Sequence, residues 1–226
     1  MCGRFFRHDV SWAEYHSALS LIEPDQPDLF GSAYNVAPTQ VAPIFRRDDD
    51  APDQLVVSSA RWGLVPYWWR KDLKEMKFST FNARSEGLKA SKVFRQPYQK
   101  KRALVPLSGF YEWKGPKGQK QPYAIGLRNR RWFAVAGLWS RALINDQPLE
   151  SFTILTTEPN DLMADIHNRM PVILRPEDYG RWLDPEIDDP AELLKPYEAA
   201  EMDAWPVGKA VGQVRNQGPN LIKPVD

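Results

Sequence analysis

The chain has 226 residues, is 42% hydrophobic and 12% aromatic, and carries a formal net charge of +1; this suits a single globular domain over residues 1–226 with an ordinary core. No apolar run reaches membrane-spanning length and no basic-then-apolar leader opens the sequence, so the expected location is cytoplasmic, with no membrane partner. One cysteine, Cys2, excludes an intrachain disulfide framework, and His8, His16 and His167 make no metal-site spacing with it, so no metal and no cofactor are expected.

The first segment is Met1-Cys2-Gly3-Arg4-Phe5. Removal of Met1, which the small Cys2 side chain permits, leaves an α-amine and a thiol on adjacent carbons. The amine has a reference pKa of roughly 7.7–8.0 against roughly 10.4 for lysine, so far more of it is nucleophilic at neutral pH. Its natural target is an aldehyde: the amine forms an imine and the thiol closes a five-membered thiazolidine. The plainer reading is a small buried hydrophobe near an idle chain end. Against it stand Gly3, which permits close backbone approach, Arg4, an anion-binding fork, and Phe5, which can bury and pin the terminus.

Ser11-Trp12-Ala13-Glu14 is a capping box, and Tyr15, Ala18, Leu19 and Ile22 keep helical spacing until Pro24. After Tyr34-Asn35-Val36-Ala37-Pro38, the runs Val41–Phe45 and Leu55–Trp62 flank Asp48-Asp49-Asp50 and read as a hairpin. Residues 88–100 have helical spacing, with Pro97 weakening the last turn. Strand-like runs follow at 103–107, 109–113, 122–127, 132–138, 152–156 and 172–174, then helical stretches near 176–183 and 190–201 and a closing Trp205-Pro206-Val207. The pattern predicts an α+β domain with a mostly antiparallel, barrel-like sheet core and peripheral helices.

The near-neutral charge is unevenly spread. Residues 61–131 hold 18 Lys and Arg against 4 Asp and Glu, whereas residues 145–205 hold 4 basic against 15 acidic. Charge runs are commonly solvated faces. Here, however, the cations are interleaved with Trp62, Tyr67, Trp68, Trp69, Phe78 and Phe81, and cations beside planar rings suit a polyanion with stackable bases. Single-stranded nucleic acid is the leading partner.

Three further positions carry chemistry. Glu112, in Phe110-Tyr111-Glu112-Trp113, would share a strand face with Phe110, where an apolar setting would raise its pKa and suit it to general acid and base work; it is equally readable as an exposed carboxylate paired with a nearby lysine. His167 lies in the polar turn Asp165-Ile166-His167-Asn168-Arg169 and suits proton transfer near neutrality, or simply a satisfied loop hydrogen bond. Asn82 and Arg84 offer an amide for a hydroxyl and a guanidinium for a phosphate, or a turn asparagine and a surface arginine.

Taken together, these segments resemble the SRAP (SOS response-associated peptidase) proteins, which crosslink covalently to abasic sites in single-stranded DNA. The resemblance runs nearly end to end through Met1–Phe5, Tyr34–Pro38, Arg61-Trp62-Gly63-Leu64 with Pro66 and Trp68-Trp69, Asn82-Ala83-Arg84-Ser85-Glu86, Gly109–Trp113, Gln121-Pro122, Thr156-Thr157 and His167–Pro171. It implies Cys2, Asn82, Glu112 and His167 as catalytic residues. Cys2 would capture the ring-opened aldehyde as a thiazolidine, Glu112 would shuttle protons, Asn82 would orient the sugar, and His167 would assist proton transfer and reversal. Arg4, Arg84 and Arg169 would hold phosphates, Trp68 and Trp69 would support the strand, and Thr156 would line the site. The peptidase of the family's name would be the self-exposure of the N-terminal cysteine, and DNA-bound protein would lie at the nucleoid. Two rival classes remain: a cysteine peptidase or N-terminal-nucleophile amidohydrolase built on Cys2, His167 and Glu112, and a non-covalent single-strand-binding module in which Cys2 is idle.

Overall fold

The structure is a computed structural model that describes residues 2–19 and 31–225. Twelve β-strands appear among these residues: β1 (Phe5–Arg7), β2 (Ala33–Val36), β3 (Val41–Arg47), β4 (Leu55–Trp62), β5 (Asn82–Arg84), β6 (Arg102–Leu107), β7 (Gly109–Lys114), β8 (Gln121–Leu127), β9 (Phe133–Ile144), β10 (Gln147–Thr157), β11 (Met170–Pro171) and β12 (Met202–Pro206). Four short α-helices accompany them: α1 (Trp12–Leu19), α2 (Arg95–Lys100), α3 (Asp161–Ala164) and α4 (Tyr179–Leu183). One sheet runs β12-β8-β7-β1-β2; in the other, β10-β4-β3-β6-β9 closes on itself because β9 also pairs with β10. The α+β class with a mostly antiparallel barrel and peripheral helices is therefore the observed architecture, and closure removes the exposed edges of that sheet.

Local chemistry explains the elements. Ser11 and Glu14 cap α1 reciprocally: Glu14 N donates to Ser11 Oγ at 3.3 Å and Ser11 N to Glu14 Oε2 at 2.8 Å. The expected extension of α1 to Ile22 and Pro24 lies outside the described residues. Between β3 and β4, Asp48 Oδ1 accepts from Asp50 N at 2.8 Å and Ala51 N at 3.1 Å, an Asx turn that sets the hairpin. The hairpin β9–β10 is longer than its apolar runs suggested. It turns at Asn145 and Asp146, both at positive φ (50° and 60°), the conformation a two-residue hairpin loop needs and Asn and Asp tolerate.

Three expected elements differ. Residues 88–94 form turns, with Val93 N and Phe94 N both donating to Ser91 Oγ at 3.2 Å, and only Arg95–Lys100 is α-helix. Pro97 thus stands in a first turn, where its missing N–H costs nothing, and does not weaken a last one. Residues 190–201 form two separate 3-10 turns, Ala191–Leu193 and Ala199–Glu201, because Pro196 lacks a donor and biases Lys195 away from helix. The strand expected at 172–174 begins earlier, as β11. Val172–Leu174 instead threads between β9 and β10, with Val172 N donating to Leu155 O at 2.9 Å and Ala136 N to Val172 O at 2.8 Å.

Two features place the chain's first residues. Phe5 pairs with Phe110 and Phe6 with Gly109, so β1 lies on β7. Gly109 is required there, since a Cβ would stand 2.3 Å from Phe6 Cζ and 2.5 Å from Ile125 O. Phe5 then packs on Trp62, which stacks on Phe152 at 6.2 Å with ring planes 7° apart. These rings and Cys2 belong to one buried cluster that reaches into the closed sheet.

Candidate active site

Cys2 is fully buried, as the Phe5 anchor dictates: three residues beyond Phe5, with Tyr111 N donating to Arg4 O at 2.9 Å, the chain runs alongside β7 toward Glu112. Burial pushes the Cys2 thiol far above its ordinary range, and the charge of Glu112 adds to the shift. Asn82 Nδ2 donates to Cys2 O at 2.8 Å and so fixes the Cys2 backbone. Asn82 opens β5, which runs parallel to β10 in the register Ile154↔Asn82, and Trp62 Nε1 braces the preceding Phe81 O at 2.7 Å. The Asn82 Oδ1 atom is buried and has no protein partner among the described residues, an acceptor left for a donor from elsewhere.

Glu112 is 3% exposed. As the strand alternation required, Phe110 joins the buried cluster of Cys2, whereas Tyr111 and Trp113 pack in a second cluster on the opposite face. Of its two open readings, the buried carboxyl holds and the exposed lysine-paired one does not. Desolvation raises the Glu112 pKa from its ordinary value, and nearby His167 opposes part of that rise. His167 is half-buried in the turn after α3. Its own N–H donates to Met163 O at 2.7 Å, and Asn160 caps α3 through Met163 N at 3.0 Å. The ring Nδ1 lies 3.1 Å from Arg169 N and 3.3 Å from Arg169 O. A backbone N–H can only donate, so the shorter of these contacts makes Nδ1 an acceptor and corresponds to the Nε2–H tautomer, whereas the 3.3 Å contact to a carbonyl oxygen corresponds to the other. Asn82 is thus joined to Cys2 by a hydrogen bond, and Cys2 to Glu112 and Glu112 to His167 by the influence of charge, which draws together four distant stretches of chain.

The six other expected site residues divide by how they are engaged. Arg84, at the end of β5, is exposed and its guanidinium makes no ion pair or side-chain hydrogen bond among the described residues. Trp68 is 45% exposed beside Trp69 (centroids 6.2 Å apart), and Tyr67 and Phe78 are exposed in the same 67–78 stretch. Trp69 packs edge-on against Phe78 at 5.9 Å. Thr156 is fully buried, its hydroxyl donating to Ala83 O at 3.5 Å. Arg4 and Arg169 are already occupied. Arg4 Nη1 donates to Asn35 Oδ1 (2.9 Å) and Val211 O (2.8 Å); Arg169 forks onto Glu86 (2.9 and 2.8 Å) and reaches Thr156 O at 2.7 Å.

Two contributors went unassigned by residue-level reading. Asn35 is fully buried and donates from Nδ2 to Val211 O, Gln213 O and Asn216 O while accepting from Arg4, which ties the N-terminal strand to the C-terminal segment. Glu86 neutralises Arg169. Both sit inside motifs already singled out, Tyr34–Pro38 and Asn82–Glu86, but their partners lie far away in sequence. Asn35→Ala leaves three carbonyls and the half-buried Arg4 guanidinium each short of a partner. It is expected to cost about 2 kcal/mol or more, read as a lower urea midpoint at unchanged slope.

The sequence matches the model of the SOS response associated peptidase (SRAP) family over residues 1–214. It is 40% identical over 233 aligned positions to the abasic site processing protein YoqW of Bacillus subtilis, covering 99% of each chain. It is 33% identical over 234 positions to the abasic site processing protein YedK of Escherichia coli, covering all of both. With the abasic site processing protein HMCES of Rattus norvegicus it shares 30% identity, spanning all of this chain and 76% of that one. A crystal structure of a protein from Bacteroides thetaiotaomicron has the same fold, with a TM-score of 0.83 at 28% identity over 98% of this chain and 99% of that one. With the family's pattern running through residues 1–214 and the motifs around Cys2, Asn82, Glu112 and His167 falling inside it, the chain belongs to the SRAP family.

Proposed function

We propose that this protein responds to DNA damage by capturing abasic sites in single-stranded DNA as a covalent thiazolidine on Cys2. One observation carries the reading. The lone thiol is buried at the head of β1, its carbonyl held by Asn82 and its surroundings shared with a protonation-prone glutamate. Loss of Met1 exposes the Cys2 amine, the one peptide cleavage the reaction requires and the sense in which the protein acts as a peptidase. The amine attacks the C1′ aldehyde of the ring-opened sugar, and a proton from the Glu112 carboxyl helps the carbinolamine oxygen leave as water, giving an imine. The thiol then adds to the imine carbon, its proton passing by way of Glu112 to nitrogen, and the ring closes with one water lost overall. In this reading the amine acts first, since burial disfavours the thiolate. That same feature weighs against a cysteine peptidase, whose nucleophile needs a depressed thiol pKa. His167, as its Nε2–H tautomer, returns a proton to the sugar oxygen on reversal. The captured sugar is thereby shielded from strand cleavage.

DNA is held by the basic segment. Arg84, uncommitted among the described residues, takes the largest share of phosphate contact, while Arg4 and Arg169 contribute from guanidiniums already bound to protein groups. Trp68 offers a stacking face, backed by Trp69, and buried Thr156 lines the site beside Arg84 and Arg169. The protein would act in the cytoplasm, at the nucleoid.

Affinity for an abasic single strand is expected to fall steeply with salt, with a log–log slope of about −0.7 per phosphate contact. Arg84→Ala should flatten that slope by about one contact. Trp68→Ala should leave the slope alone and weaken binding by about 1–3 kcal/mol, one stacking interaction. Fluorescence anisotropy across a salt series checks both, and salt-independent binding would refute the assignment. Incubation with an abasic oligonucleotide, then denaturing electrophoresis, tests the reading itself: the expected result is a covalent, heat-stable band that requires Cys2.

A further inference from the structure

Arg169 is 8% exposed and its fork with Glu86 is bidentate, at 2.9 and 2.8 Å, although the Glu86 side chain itself is 57% exposed. A pair of this geometry resists rotation more than an ordinary surface salt bridge. The fold explains why the two meet. β5 ends at Arg84 and a single 3-10 turn, Ser85–Gly87, brings Glu86 past the end of its partner strand β10. Arg169 immediately precedes β11, which pairs with the same end of β10 at Thr156 and Thr157. The Arg169 guanidinium also donates to Thr156 O at 2.7 Å, so it is held on two sides.

The consequence falls on His167. The turn bearing it is anchored at one end by α3, through His167 N to Met163 O. At the other end is Arg169, whose backbone N–H donates to His167 Nδ1. Were this end of the turn loose, the ring could swing or exchange tautomers. With Arg169 locked by Glu86, the N–H that fills Nδ1 is fixed in space, and the proton is kept on Nε2.

We propose that Glu86 is a positioning residue for His167, acting through Arg169 to hold the imidazole in its Nε2–H tautomer and in one orientation. Glu86 does not reach the reacting atoms; it determines which nitrogen of His167 can give a proton. The catalytic consequence rests on the abasic-site reading above, whereas the tautomer does not.

The test therefore has two arms. In the first, histidine-selective 15N NMR is recorded at about pH 8.5, where an ordinary histidine is neutral; three histidines make assignment by substitution direct. The wild type is expected to show a pure Nε2–H signature for His167, and Glu86→Gln a mixture of tautomers, with circular dichroism and thermal midpoint recorded to establish that the variant is folded. If Glu86→Gln folds and keeps the wild-type signature, the proposal is overturned. If it does not fold, Arg169→Lys, which keeps the charge and loses the fork, is measured in the same way and decides the matter.

In the second arm, a preformed adduct is chased with excess abasic competitor. Glu86→Gln should slow reversal by roughly tenfold in the wild-type background and not further in His167→Ala, the non-additivity expected of residues in one network. Equal slowing in both backgrounds would overturn action through His167. Glu86 could instead restrain Arg169 from binding phosphate; Glu86→Gln would then tighten DNA binding and steepen its salt dependence with reversal unchanged, which also overturns the proposal. If the wild type forms no Cys2-dependent adduct, the abasic-site reading fails and the NMR arm still decides the positioning role.

Discussion

Cys2→Ala is expected to abolish the heat-stable adduct with abasic DNA while leaving non-covalent affinity close to that of the wild type. The substitution removes one sulfur from a fully buried site and touches none of the exposed residues assigned to DNA. Cys2→Ser keeps the amine and loses the better ring-closing nucleophile, so it should trap at most an imine that heat and water reverse. Intact-mass analysis separates the outcomes: wild-type adduct carries the mass of protein plus oligonucleotide less one water and survives heating, the serine adduct survives only if first reduced. A wild-type yield of stable adduct from the alanine variant would remove Cys2 from the mechanism and return the protein to the class of binding modules.

The second large effect is expected at Glu112. Glutamine preserves shape and cannot exchange a proton, so Glu112→Gln should slow adduct formation by about 100-fold or more, the usual cost of losing a general acid or base. The same substitution has a stability signature of opposite sign. Burial raises the Glu112 pKa above its ordinary value of 4.5, so the folded state binds this proton more tightly than the unfolded chain does. Below that ordinary value both states are protonated and the carboxyl's ionisation contributes no difference. As pH climbs through the window between the ordinary and raised values, the unfolded chain is favoured progressively, and above it the full cost of burying the carboxylate is felt. The thermal midpoint of Glu112→Gln minus that of the wild type should therefore increase from acid to neutral pH and level off above the raised pKa. Rapid-quench rates and melting curves across pH measure the two halves. An unchanged rate with a pH-independent difference in midpoint would make Glu112 an ordinary packed residue.

Both outcomes would follow from one feature, a buried carboxyl whose pKa is raised by desolvation at a cost in stability. The Asn82 Oδ1 atom, buried with no protein partner among the described residues, is a second instance of the same expenditure.

Much of this was legible in the chain because it depends on local chemistry. The capping box at Ser11 and Glu14, the Asp48 turn and the two-residue periodicity of the central strands are decided by neighbours a few residues away, and each appeared where the sequence placed it. The segregation of Phe110 from Tyr111 and Trp113 followed from strand alternation alone. Less legible were elements whose form depends on what they pack against. Residues 190–201 have the composition of a surface helix, but Pro196 divides them into two single turns. The 172–174 segment is drawn between two long strands that its own sequence does not reveal.

What the sequence by itself determined was the chemistry on offer: an aminothiol obtainable by removal of one residue, a glutamate among aromatics, a histidine in a polar turn, and cations interleaved with rings. Each is a property of side chains and their immediate neighbours. Only the tertiary structure decided which of these groups meet and which are already engaged. Cys2 and Asn82 are 80 positions apart and joined by one hydrogen bond. Arg4 and Arg169, indistinguishable from Arg84 as sequence, are held by Asn35 and Glu86 while Arg84 stands free among the described residues. Such partnerships arise where β1, β5, β7 and the segment before β11 converge around β10 and the closed sheet. Strand pairing over long separations creates them, and no local pattern encodes the partner.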